Sequence, residues 1–195
     1  MLKKIIVFVF FGLLFSSAQA QFIFDKGDIT VNTGLGFISM DGNSPSIFMS
    51  GDLGLVPTGE VGLLSIGGLM EYKYSTISNG NYYNQVTVGP RAAWHMQLPV
   101  FEKMHFDLYT GIGAGIHHYR EFNSTTSNFD RQLKPYFEYF LGGKIKLNSD
   151  LSLFAEGGGG GISSIKAGFV YHFNASNKKS VMFPGDKNRY YLIKK

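Results

Sequence analysis

Gln85-Val86-Thr87-Val88-Gly89-Pro90-Arg91-Ala92-Ala93-Trp94-His95-Met96 decides the fold. Val86, Val88, Pro90, Ala92, Trp94 and Met96 fall on one parity, and Gln85, Thr87, Gly89, Arg91 and His95 on the other. Period two is the signature of a strand whose successive side chains point to opposite faces. Seven further segments share it. They are Ile29–Phe37, Ile47–Leu55, Leu64–Tyr74, Phe106–His117, Pro135–Lys146, Leu151–Glu156 and Lys166–Phe173. Turn-type residues separate them, among them Asp41-Gly42-Asn43, Pro57-Thr58-Gly59, Asn79-Gly80-Asn81 and Asn148-Ser149-Asp150.

The two faces differ in an unusual way. The polar face is rich in glycine, and its few charges are of both signs. The other face is a continuous band of Leu, Ile, Val and aromatics. Small and oppositely charged residues suit a narrow lumen, and an apolar band suits lipid. Many segments exceed ten residues, enough for a tilted strand to cross roughly 30 Å of hydrocarbon. Only closure satisfies every backbone group there. The expected fold is all-β: an eight-stranded antiparallel up-and-down transmembrane β-barrel. A secreted carrier barrel would instead turn the apolar face inward.

Composition agrees. The chain has 195 residues, 25 Gly, 15% aromatic residues and no Cys, which excludes disulfide scaffolds, Cys-ligated zinc and a thiol nucleophile. Of the net charge of +4, Lys3 and Lys4 hold two units and residues 174–195 hold five, leaving 21–173 at −3. The body carries no basic stripe for a nucleic acid. Residues 1–20 read as a signal peptide: a basic start, an unbroken apolar run from Ile5 to Phe15, and Ala18-Gln19-Ala20 as the cleavage site. The barrel is assigned 21–173. Residues 174–195 are expected to be a disordered, basic periplasmic tail, with docking to the cell wall or inner-leaflet headgroups as the sharper alternative.

Lys166-Ala167-Gly168-Phe169-Val170-Tyr171-His172-Phe173 resembles the terminal-strand signal of bacterial outer-membrane barrels, with Lys166, Gly168, Tyr171 and Phe173 at its defining positions. The resemblance covers about 21–173 and is to the small eight-stranded, OmpA/OmpX-type barrel domain. It implies insertion by the barrel-assembly machinery into the outer membrane of a Gram-negative-type cell. The chain departs from the pattern by continuing 22 residues past Phe173. An even strand count puts both termini on the periplasmic side, with 57–61, 97–103 and 147–150 as turns there and 75–82 and 121–131 as outer loops.

An eight-stranded barrel is just wide enough for side chains to fill it. The inward charges are Asp52, Glu71, Asp107, Glu138 and Glu156 against Lys73, Arg91, Lys144, Lys146 and Lys166. Turn midpoints place Asp107 against Lys144 and Glu156 against Lys166. They place Arg91 beside Gly67 and Gly111, reaching toward Glu138. Aromatic girdles are expected at Tyr72, Tyr74, Tyr119 and Phe137 on the outer side, and at Phe106, Tyr171 and Phe173 on the periplasmic side.

Other motifs carry less. Gly111-Ile112-Gly113-Ala114-Gly115 lacks the following helix that a phosphate-binding loop needs and reads as room in the lumen. His117 and His118 point to opposite faces and cannot share an ion, so no metal site is assigned. His105 and Asp107 share a face, and a serine could complete a hydrolytic triad, but no known signature of such an enzyme is present. The reading is a monomeric, non-enzymatic, cofactor-free barrel in outer-membrane lipid, with a closed lumen and a structural or surface-interaction role. Transport of small or hydrophobic solutes is the alternative, and a lipid-modifying enzyme the third.

Overall fold

The computed structural model describes residues 23–39, 44–59, 61–76, 81–97, 100–101, 104–123 and 128–173, so the leader and the basic tail lie outside the described residues. Eight strands follow in chain order: β1 (Ile29–Phe37), β2 (Ser46–Pro57), β3 (Gly62–Thr76), β4 (Tyr82–Met96), β5 (Phe106–Asn123), β6 (Asn128–Lys146), β7 (Leu151–Gly159) and β8 (Ile165–Phe173). Each pairs antiparallel with its sequence neighbours, and β8 pairs with β1. The sheet is the closed eight-stranded barrel that the alternation predicts.

The faces are those of a membrane protein. Val88, Ile112, Leu141, Leu153, Phe169 and Tyr171 are exposed on the outside, while Thr30, Asn32, Asp52, Glu71, Arg91, Glu138 and Lys144 are buried inside. A soluble protein buries the opposite set. The secreted-carrier alternative fails on this observation, since the apolar face points outward.

Glycines on the inward face let large side chains cross the lumen. A Cβ on Gly142 would lie 2.5 Å from Tyr109 Cζ and 2.8 Å from Glu156 Cγ. A Cβ on Gly113 would lie 2.9 Å from Glu138 Cγ. The sequence reading of these glycines as lumen space accounts for both positions.

The wall is uneven. β3, β4, β5 and β6 run 15, 15, 18 and 19 residues, whereas β1, β7 and β8 run 9 each. Within the outer loops expected at 75–82 and 121–131, the strands include Ser75, Thr76 and Tyr82 in the first and 121–123 and 128–131 in the second. Ser75 pairs with Tyr83 and Thr76 with Tyr82; Glu121 pairs with Asp130 and Phe122 with Phe129. Aromatic residues with high strand propensity extend both hairpins and touch one another within and between them. Tyr82 and Phe122 lie 5.1 Å apart, and Phe122 and Phe129 4.9 Å.

At the end where the termini emerge, residues 23–28 fold back into the barrel mouth. Gly27 N donates to Gly54 O at 2.8 Å, and Gly54 N donates to Asp28 O at 3.0 Å. Ile23 and Phe24 are buried by this return, Phe24 almost completely.

The lumen as candidate functional site

Three layers fill the lumen. In the middle one, Arg91 on β4 places Nη2 2.7 Å from Glu156 Oε1 on β7 and Nε 3.4 Å from Asp52 Oδ1 on β2. Tyr109 donates its hydroxyl to the same Glu156 oxygen at 3.0 Å. Lys144 on β6 stands 3.5 Å from Asp52 Oδ2, which also accepts from Asn32 Nδ2 at 3.0 Å. The Arg91 guanidinium lies 4.0 Å from the Phe140 ring centroid. Such a ring face adds to the attraction once water is excluded.

Nearer the end opposite the termini, Lys166 on β8 donates to Glu138 Oε2 at 2.9 Å and stands 3.6 Å from Glu71 Oε2. Ser46 donates to the other Glu71 oxygen at 2.5 Å and shares a hydrogen bond with Ser163 at 2.8 Å. A cavity of about 10 Å³ lies between Glu138, Glu156, Ser163 and Lys166. Such a space has room for one water at most.

At the terminus end, His95 holds Asp107 Oδ2 through Nδ1 at 2.8 Å and Ser65 Oγ through Nε2 at 3.1 Å. The Phe24 ring covers the imidazole at 4.4 Å, with Tyr109 stacked on it at 5.2 Å. Gln97 donates to the Phe24 carbonyl at 3.1 Å. Lys144 lies 5.2 Å from the centre of the same Phe24 ring.

The register and the ion pairs must be told apart. Asp107 is the Cα partner of Lys144, and Glu156 of Lys166. Their side chains nonetheless take other partners: Asp107 meets His95, Lys144 meets Asp52, Glu156 meets Arg91 and Lys166 meets Glu138. The expected Arg91–Glu138 pair is replaced by Arg91–Glu156 and Arg91–Asp52. Inward side chains converge on the barrel axis, where the opposite wall is as near as the adjoining strand. The backbone register therefore fixes which Cα atoms are neighbours without fixing where long side chains end. Arg91 lies beside Gly67 and Gly113, not Gly111, and Glu138 fills the space over Gly113.

Three further corrections follow from parity and position. Tyr119 belongs to the lumen rather than the outer girdle, since its ring lies 5.6 Å from buried Tyr83. Asp107 is joined by His95, not His105, which precedes β5 with a φ of 50°. Lys146 is only half-buried at the end of β6. Among the assembly-signal positions, Lys166 points inward, while Tyr171 and Phe173 lie outside with rings 4.8 Å apart. The Phe24 segment escaped the sequence reading; its one signal is an apolar Ile23-Phe24 pair before the Asp25–Asp28 turn.

This arrangement defines a class: an eight-stranded barrel of the outer-membrane type, apolar outside and ion-paired within. Solved structures agree on the fold. The chain is similar to the attachment invasion locus protein Ail of Yersinia pestis, in a complex with the heparin analogue sucrose octasulfate, at 12% identity and a TM-score of 0.50, covering 76% of this chain and 99% of that one. It is equally similar to the N-terminal β-barrel domain of Pseudomonas aeruginosa OprF, at 14% identity and a TM-score of 0.50, covering 76% and 98%. No protein-family model matches the sequence, and no curated protein matches it.

Proposed function

We propose that the chain is a monomeric integral protein of a Gram-negative-type outer membrane, with both termini periplasmic and a structural or surface-interaction role without catalysis. The observation that carries this reading is the network of Asp52, Glu71, Glu138 and Glu156 with Arg91, Lys144 and Lys166 across the lumen. Side chains so paired leave no broad aqueous path through the middle layer. On this reading residues 1–20 are removed on export, and the barrel-assembly machinery reads Lys166, Gly168, Tyr171 and Phe173. The basic tail at 174–195 extends into the periplasm, with the cell wall as its candidate contact. Reconstitution into a planar bilayer tests the closed lumen. Little steady current is expected, and large, stable single-channel currents would transfer the case to solute transport.

A catalytic reading has one specific observation in its favour. Ser65, His95 and Asp107 are linked in the order of a hydrolytic triad. All three are buried, and Phe24 lies against the imidazole. The relay is thus read as a polar tie between β3, β4 and β5. Treating the folded protein with a fluorophosphonate probe separates the two. Ser65 should stay unmodified, and its stoichiometric labelling would establish a nucleophile.

A further inference from the structure

On the tall side of the barrel, β5 and β6 place Arg120 directly opposite Arg131. Both lie on the outward face, the face of Ile116 on β5 and Leu133 on β6. Like charges directly opposite on adjacent strands repel. The acids of the same hairpin do not relieve them. Glu121 and Asp130 oppose each other on the inward face, where Tyr119 donates to Glu121 at 2.9 Å and Gln132 to Asp130 at 3.1 Å.

The Arg120 guanidinium carbon lies 3.9 Å from the Phe129 ring centroid. Its Nε is buried without a hydrogen-bond partner, and Arg131 is exposed. On the side toward mid-membrane, Ile116 and Leu133 are 49% and 65% exposed and belong to the apolar band. On the far side, Tyr74, Tyr82, Phe122 and Phe129 form a row of rings across four strands, 4.9 to 5.7 Å apart. The arginine pair therefore sits between hydrocarbon-facing side chains and an aromatic row, the depth of lipid headgroups. A guanidinium offers a planar fork of N–H donors that matches phosphate oxygens.

We propose that Arg120 and Arg131 together bind the phosphate groups of lipids in the outward-facing leaflet. The proposal rests on the reading of this end as the outer one. A bound phosphate would offset the repulsion and accept from the two guanidinium groups, tying the projecting hairpin to the membrane surface.

The test folds the full barrel into plain phosphatidylcholine vesicles and into the same vesicles doped with bisphosphorylated lipid A. Urea unfolding is followed by loss of the compact, heat-modifiable gel band. Doping should slow unfolding of the wild type by roughly tenfold, given two cations at a charged surface. The Arg120→Ala/Arg131→Ala double variant should lose that slowing, while Lys134→Ala, on the inward face, keeps it. Arg131→Ala alone serves if the double variant does not fold, and should lose part of the effect. Undiminished slowing in the arginine variants would overturn the site. So would an equal effect of inorganic phosphate on the wild type in plain vesicles, which would mean a free-anion site rather than a lipid one. No compact band in plain vesicles would sink the membrane-barrel reading, and this site with it.

Discussion

Arg91 Nη2 stands 2.7 Å from Glu156 Oε1 and so ties β4 to β7, two strands that are not neighbours in the sheet. The pair works as a strut through the lumen. Because both groups are fully buried, removing one strands the other without water.

Arg91→Ala should therefore lower unfolding stability by about 3–5 kcal/mol, since it leaves Glu156 buried without its cation and Asp52 with Lys144 alone. Replacing the pair together, Arg91→Met with Glu156→Leu, should cost much less than the two single changes summed. Urea midpoints of the heat-modifiable band measure all three variants. Strictly additive losses would mean the two side chains do not depend on each other.

Val88→Arg puts a charge on the exposed apolar face, a cost of about 2–4 kcal/mol at mid-membrane. Folding yield into vesicles should fall sharply, whereas Val88→Leu should fold like the wild type. Normal insertion of the arginine variant would show that this face does not meet lipid.

Gly142→Ala pushes a methyl group against the Tyr109 ring and the Glu156 stem. Overpacking of this kind costs about 1–3 kcal/mol, because the ring and the strut cannot both keep their places. A thermal melt in detergent reads the loss. A neutral substitution would mean that Tyr109 can swing aside and that the middle layer is looser than its contacts imply.

Phe24→Ala should uncover His95 while the barrel stays folded, since the ring lies on the imidazole but belongs to no strand. Diethyl pyrocarbonate modification of His95, located by peptide mapping, should speed up markedly in the variant. An unchanged rate would show that the mouth is closed by something other than this ring.

The strands were legible because alternation is a local property: each parity class can be read from Gln85–Met96 or Lys166–Phe173 alone. The neighbours Asp107↔Lys144 and Glu156↔Lys166 were legible for a similar reason, as short turns fix the register of adjoining strands. The ion pairs were not. Whether Arg91 ends on Glu138 or Glu156 depends on the shape of a shared interior, and that shape depends on which inward neighbours are glycine. The Ile23–Phe24 return was hidden because nothing in its own composition says which mouth it fills. The full length of the β3–β4 and β5–β6 hairpins is not legible, because their polar residues, Glu121 and Asp130 among them, look like loop until their pairing is seen.

The seam between β1 and β8 has a consequence for how the barrel forms. Every other pairing joins strands next to each other in the chain, but this one joins residues from 128 (Phe37 and Ile165) to 144 (Ile29 and Phe173) positions apart. Closing so long a loop costs more chain entropy than forming any hairpin, so seven hairpins can zip up locally while the seam waits. Until then β1 and β8 are open edges that can pair with the wrong chain. Gly34 and Gly168 face each other across that seam, and a Cβ on either would strike the opposite backbone. A larger residue at either position would therefore act on the final step of folding, trapping an open sheet whose individual hairpins are sound.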